Sequence, residues 1–230
     1  MPRRYIPLIE GEYYHVFNRG VEKRTIFTDK RSYKRFIDTL FYYSYVKPPM
    51  RFSNFVKLSI EKRLEFLDSL LNEPRHISIC CYVLMPNHFH LLIRQEMNGN
   101  ISTFIKTLSI SYTRYFNTRI KRIGPLFQGQ FKAIRVESED QLTHVSRYIH
   151  LNPYTSYIVS TLEELQAYSW SSLPAYLTKI NQSLNCDFKP VLSNFKNIES
   201  YWQFIKDHAD YQRKLDNIKH LLAENPDMRS

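Results

Sequence analysis

Polar and apolar positions change period along the chain, and each change marks an element. Tyr13 to Phe17 is β-prone and stops at Asn18-Arg19-Gly20, a turn signal, so a first strand is expected there. From Asp29, apolar Tyr33, Phe36, Ile37, Leu40 and Phe41 recur at i, i+3, i+4, i+7 and i+8. That is the stripe of a helix, which should end before Pro48-Pro49. Residues 47–75 read as an insertion, with Ser59 capping a short helix that carries Ile60, Leu64, Leu67 and Leu71. Ile77 to Leu84 and His88 to Arg94, joined by Met85-Pro86-Asn87, form a hairpin whose continuous apolarity predicts two central, buried strands. A second helix from Asn100 aligns Ile101, Phe104, Ile105, Leu108, Tyr112, Tyr115 and Phe116, and ends before Gly124-Pro125. Phe131 to Val136 reads as a fourth strand. Ser138 and Gln141 then make an S-x-x-Q capping box that opens a third helix toward Asn152-Pro153.

The order β-α-β-β-α-β is the split βαβ, or ferredoxin-like, arrangement: an α+β fold with an antiparallel sheet, helices on one face and the other face available. Beyond about Tyr154, Trp170, Tyr176 and Trp202 stand among polar stretches. A helix is expected from Glu199 into Leu222, as part of a C-terminal helical extension.

Composition narrows the function. With 230 residues, 43% of them hydrophobic and 15% aromatic, the chain can bury a core, and disorder is excluded. No apolar run approaches the roughly 20 residues of a membrane helix, and the N-terminal residues lack a signal-peptide core, so a cytoplasmic protein without a membrane partner is expected. Cys80 and Cys81 are adjacent, Cys186 is distant and no CxxC occurs, which argues against a disulfide framework or a cysteine zinc site. Lys and Arg total 32 against 22 Asp and Glu, a formal charge of +10. The pI near 9.4 matches the footprint of nucleic-acid binders, though many basic proteins bind nothing specific. Five glycines, with neither GxGxxG nor GxxxxGK[ST], disfavour an NTPase or a nucleotide-cofactor enzyme.

His88 and His90 are two apart on a strand, so their side chains share one face while Phe89, Leu91 and Ile93 take the other. Two imidazoles on an open face suit a divalent ion; the plainer alternative is two histidines on a half-exposed strand. On the third helix Gln141, Tyr148 and Asn152 form a polar stripe beside Leu142, Val145 and Ile149. Asn152 can supply a carbonyl oxygen to a metal and Tyr148 a phenol to a phosphodiester. Equally, Asn152-Pro153 has the form of an N-cap followed by a first-turn proline.

Four ordered stretches carry a family resemblance: Tyr14-His15-Val16-Phe17-Asn18-Arg19-Gly20, Tyr82 to Leu92 with Pro86-Asn87-His88-Phe89-His90 inside it, Gly124-Pro125-Leu126-Phe127-Gln128-Gly129, and Tyr148-Ile149-His150-Leu151-Asn152-Pro153. In this order, over roughly Tyr13 to Tyr157, the chain resembles the single-tyrosine HUH transposases, in particular the REP-associated tyrosine transposases. The resemblance implies an HUH-nuclease fold over 1–157, with the insertion at 47–75 and the extension over 158–230. It implies that His88 and His90 hold Mg²⁺ or Mn²⁺, that Tyr148 is the nucleophile, and that Asn152 takes the third ligand's place, where related transposases carry Gln. The implied substrate is single-stranded DNA with hairpins, cleaved through a 5′-phosphotyrosine and rejoined by a later 3′-OH. Whether the third helix completes its own site or a partner subunit's stays open, so a homodimer is retained as an assembly.

Tyr115-Phe116-Asn117 competes as a tyrosine near an asparagine, but Tyr115 falls on its helix's apolar stripe and Tyr148 on a polar one. Candidate DNA contacts are Arg19, Lys23 and Arg24 after the first strand, Lys121 and Arg122 before Gly124, and Lys132 with Arg135 on the fourth strand; Gln128 and Gln130 are candidate base readers. His15 reads equally as a packed core histidine or a site residue. Two rivals share the fold: a catalytically inactive hairpin-binding module, and a metal phosphodiesterase using water as nucleophile.

Overall fold

The computed structural model describes residues 7–46, 48–97, 100–178 and 186–214. Two compact units divide the chain, Met1–Ile79 with Pro86–Glu137, and Cys80–Met85 with Ser138–Ser230. The four strands are β1 (Tyr13–Arg19), β2 (Ile77–Met85), β3 (His88–Gln95) and β4 (Lys132–Val136), in the sheet order β2-β3-β1-β4.

In the first unit β1 runs antiparallel to both neighbours, with Phe17 opposite His90 and Lys132, and Val16 opposite Leu91 and Ala133. Side chains alternate across a strand, so Tyr13, His15, Phe17 and Arg19 take one face and Tyr14, Val16 and Asn18 the other. Helices α1 (Lys30–Tyr42) and α4 (Asn100–Arg119) cover the Val16 face. Phe36 of α1 lies 5.1 Å, ring to ring, from both Phe89 of β3 and Tyr112 of α4. Burying one such phenyl contributes about 2–3 kcal/mol. The Tyr112 hydroxyl donates to the Ile26 carbonyl at 2.6 Å, so its polar tip is satisfied inside the core. Asp29 caps α1 by accepting from the Ser32 amide at 2.9 Å, and both its oxygens also accept from the Arg119 guanidinium at the end of α4. That guanidinium and the Ser32 amide hold the Asp29 carboxyl well below the usual carboxylate range.

The insertion folds into α2 (Phe52–Phe55) and α3 (Ile60–Leu71), whose Phe52, Phe55 and Leu70 form a satellite core with Tyr42 and Tyr45. Ser59 caps α3 through the Lys62 amide as expected. Its stripe Ile60, Leu64, Leu67 and Leu71 is exposed; Leu70 and Phe66 make the packing contacts.

The turn before β3 is strapped down by the segment after β1. Gly20 N–H donates to the Asn87 carbonyl, and Ile26 and Phe27 N–H both donate to that of Pro86. Between them Glu22 and Lys23 adopt left-handed backbone, each with φ 57°. Gly20 is required by close approach, since a Cβ there would lie 2.3 Å from the Arg24 carbonyl oxygen.

The second unit contains α5 (Glu139–Thr155), α6 (Leu162–Gln166), α7 (Leu173–Thr178), α8 (Lys189–Leu192) and α9 (Ile198–Lys206), with α5 packed on α6, α8 and α9. It corrects the expectation that both hairpin strands are central, because β2 stands at the sheet's edge. Its apolarity has another cause. Residues Tyr168 to Tyr176 lie along Cys80–Met85: Leu84 N–H donates to the Trp170 carbonyl, Ser172 N–H to that of Tyr82, and the Tyr176 hydroxyl to that of Cys80. An otherwise unpaired edge is thereby covered.

A buried polar network joins α5 to this covering. His150 bonds the Tyr201 hydroxyl through Nδ1 at 2.7 Å and Ser172 Oγ through Nε2 at 2.8 Å, and Ser146 Oγ lies 3.1 Å from the same tyrosine oxygen. Burial pushes the His150 pKa down to about 3, so the ring is neutral and both nitrogens are matched by hydroxyls.

Gly20→Ala should destabilise by about 1–3 kcal/mol through overpacking against backbone. Gly129→Ala, at φ 63° in open space, should cost only about 1 kcal/mol. Tyr201→Phe should cost about 1–3 kcal/mol by stranding His150 Nδ1. Urea-unfolding midpoints read all three, and a Tyr201→Phe midpoint equal to that of the unsubstituted protein would show that the network adds nothing.

Candidate functional site

On the β1–β3 register the exposed-face alternation places His15, Phe17 and Arg19 beside Leu92, His90 and His88. His90 is the centre of this group, 6% exposed, with His15 and Phe17 stacked on it at 5.1 and 5.4 Å and the His88 ring edge-on at 5.1 Å. The expectation of two open imidazoles is thus half met: His88 is half-buried and His90 buried, because large rings flank it on its own strand and the next. Phe89, Leu91 and Ile93 do take the opposite face, all fully buried.

The hydrogen bonds set the state of each imidazole. Asn87 Nδ2 donates to the Lys23 carbonyl at 3.1 Å, which turns its Oδ1 toward His88 Nδ1 at 2.6 Å. An amide oxygen only accepts, so His88 Nδ1 carries the proton and Nε2 the lone pair. His15 Nε2 lies 2.8 Å from His90 Nδ1. When His90 donates in that bond, its Nε2 also carries a lone pair, the arrangement a metal ligand needs. Burial pushes the His15 pKa down to about 4, and burial, then the His88 and His15 rings, holds His90 well below the ordinary histidine range. Neutral imidazole is the ligating form.

Among the described residues no group of three or more His, Cys, Asp and Glu is disposed to hold a metal ion, so the donor set on this face is the His88–His90 pair. Two imidazoles, His88 oriented by Asn87 and His90 in contact with His15, fit a divalent transition ion, and suit Mn²⁺ better than Mg²⁺. Sequence reasoning left His15 open between a core and a site residue and did not single out Asn87. The one signal available was that Asn87 adjoins the pair and His15 shares its alternation.

In the second unit, α5 is buried over most of its circumference, and Tyr148 is exposed at 38%. Asn152 is buried, and its Nδ2 donates to the Tyr148 carbonyl at 2.9 Å, which leaves Oδ1 as the amide's other end. Asn152 is not an N-cap: α5 runs on through Pro153 to Thr155, with Ser156 N–H donating to the Asn152 carbonyl. The missing proline N–H costs one bond to Ile149, and buried Ile149, Leu151 and Tyr154 hold the last turn regardless. The rival Tyr115 is partly buried, with its ring against Tyr112 and the Arg35 guanidinium 5.1 Å from its centre.

The basic candidates separate. Arg19 stands opposite His88, and its Nε donates to Gln128 Oε1, while Gln128 N–H donates to the Arg19 carbonyl at 2.8 Å. Lys132 lies over Phe17, 5.9 Å from the ring centre. Arg19, Gln128 and Lys132 therefore share the imidazole face. Arg135 takes the other face, opposite Tyr14, and pairs with Glu12 at 2.8 Å; three residues on a strand reverse the side, so Lys132 and Arg135 do not form one cluster. Arg24 is engaged by Glu22 at 3.0 Å. Arg122 closes the loop after α4 through Asn117 Oδ1 and the Gly124 and Pro125 carbonyls. Lys23, Lys121 and Gln130 are exposed.

One sheet face thus bears a His-x-His pair, and a helix with an exposed tyrosine follows it in sequence. The model of the IS200-like transposases matches residues 10–152, more than half of the chain. The chain belongs to that family. No curated protein sequence matches it. A solved structure of a REP-associated tyrosine transposase bound to a REP hairpin is similar in fold, with TM-score 0.52 and 13% identity, over 77% of this chain and 86% of the other. Among the described residues no helix is long and apolar enough to cross a membrane.

Proposed function

We propose that this transposase cleaves and rejoins hairpin-containing single-stranded DNA through Tyr148. The observation that carries the reading is the imidazole pair of β3, hydrogen-bonded to Asn87 and His15, in a chain of the IS200-like family. The Tyr148 oxygen forms a bond to phosphorus, the bond from phosphorus to O3′ breaks, and the phenolic proton is lost as the 3′ oxygen gains one. The products are a 5′-phosphotyrosine and a 3′-OH, and attack by a later 3′-OH reverses the step. The phosphodiester energy is conserved, so no nucleotide cofactor is needed.

His88 and His90 would hold Mn²⁺ or Mg²⁺, with Asn152 Oδ1 as a third ligand from the same chain or from a second copy. When bound, the ion supplies Lewis-acid polarisation of the phosphate. Arg19, Lys132 and Gln128 offer backbone and base contacts on the imidazole face, and Lys23, Lys121 and Gln130 are exposed enough to add others. The hairpin partner is supported by the REP hairpin in the similar structure. The cytoplasm is the compartment that a DNA substrate implies.

Labelled hairpin DNA from beside the gene, incubated with Mn²⁺ and run on a denaturing gel, should give a protein-linked band. That band should vanish in Tyr148→Phe and His88→Ala and persist in Tyr115→Phe. Cleavage that survives Tyr148→Phe without a covalent band would instead identify water as the nucleophile, and binding without cleavage an inactive module. Mixing Tyr148→Phe with His88→Ala subunits restores the band only where two copies complete one site.

Metal affinity gives a second check. Calorimetric titration with Mn²⁺ should show a loss of about 10- to 100-fold in Asn87→Ala and in His15→Ala, the usual effect of removing a group that orients a ligand. Unchanged affinity in both would remove the orienting role.

A further inference from the structure

On the side of the first unit away from the imidazoles, α1, α2 and α4 enclose an open groove of about 560 Å³. Five arginines line it: Arg31 and Arg35 from α1, Arg51 at the start of α2, and Arg114 and Arg119 from α4. Charge is not balanced there. Among the described residues Arg119 pairs with Asp29, while Asp38, the acid nearest Arg35, is held by Lys34 at 2.8 Å. Arg31 and Arg35 are one helical turn apart, a like-charge spacing that disfavours the helix.

Arg35 is the most constrained member. Its guanidinium is stacked 4.4 Å over Phe52 and 5.1 Å over Tyr115, and its buried Nε has no hydrogen-bond partner. That unmatched donor costs free energy, which the contacts with the two rings offset. Stacking fixes the plane of the fork, and a fixed fork suits the oxygens of a phosphate.

We infer that this groove binds the phosphate backbone of the DNA substrate, as a second contact surface on the helical side of the sheet. The inference rests on the reading that DNA is the substrate and adds an anchoring site remote from the imidazole pair. A groove with more arginines than acidic partners releases counterions when it takes up phosphates, so its contribution is read in the salt dependence of binding.

The test uses the full chain and a fluorescein-labelled single-stranded DNA hairpin with single-stranded flanks, followed by anisotropy at a series of salt concentrations. Arg31→Gln with Arg114→Gln, both exposed, should weaken binding by about tenfold or more and make the salt slope shallower by about two. Lys57→Gln with Lys62→Gln removes the same charge elsewhere and should change neither comparably. Phenylglyoxal labelling of the unsubstituted protein, read by peptide mapping, should show Arg31, Arg35, Arg51 and Arg114 protected by the hairpin. This measurement does not depend on the variant folding.

Equal slopes in the two double variants, or no protection, overturn the inference. So does polyglutamate that competes at these arginines while hairpin binding ignores them, which would mark an acidic protein partner. The covalent band is read separately, with the groove arginines intact and Tyr148→Phe as the comparison. Loss of tyrosine dependence in that band would therefore sink the catalytic reading and leave the groove standing.

Discussion

The register of β1 against β3 is the constraint on which the first unit depends. With Phe17 opposite His90 and Val16 opposite Leu91, one strand face carries His15, Phe17, His88 and His90 and the other carries Tyr14, Val16, Phe89 and Leu91. A slip of one residue would drive the imidazoles under α1 and α4 and turn Phe89 and Leu91 outward. Burial of those apolar chains against Phe36 and Tyr112 holds the register, at about 2–3 kcal/mol for each large side chain. Core packing on one face thereby positions the chemistry on the other.

The pair is further set by a short chain of bonds that begins in strained backbone. Left-handed φ at Glu22 and Lys23 disfavours each by roughly 1–2 kcal/mol, and the conformation persists because Gly20, Ile26 and Phe27 strap the turn to Pro86 and Asn87. The Lys23 carbonyl then orients the Asn87 amide, which in turn orients His88. Strain in the loop and the orientation of a ring two hydrogen bonds away are linked by named atoms.

Much of this was legible in the sequence wherever one period ruled a segment. The stripe of α1, the hairpin around Pro86-Asn87, the helix through Phe104 and Tyr112 and the His-x-His alternation all depend on local spacing, and the elements lie where the spacing puts them. What sequence reasoning missed depends on partners far along the chain. The apolarity of β2 reflects the segment from Tyr168 to Tyr176, which packs along its second half, and α5 is buried nearly all round because α6, α8 and α9 surround it. His150 looked like part of a motif and is a neutral core histidine between two hydroxyls. Asn152-Pro153 has the local form of a helix start, yet tertiary packing carries the helix through it.

Charge shows the same limit. Net charge of +10 says that anions are attracted, and says nothing of where. Of the basic residues near the sheet, Arg24, Arg122 and Arg135 are consumed by Glu22, by loop carbonyls and by Glu12, so they act inside the fold. Arg31, Arg35, Arg51 and Arg114, from α1, α4 and the residue before α2, converge on one groove, and among the described residues none of the four forms an ion pair with a carboxylate. Clustering in sequence therefore does not show which cations are engaged within the fold, because ion pairing is set by partners far along the chain.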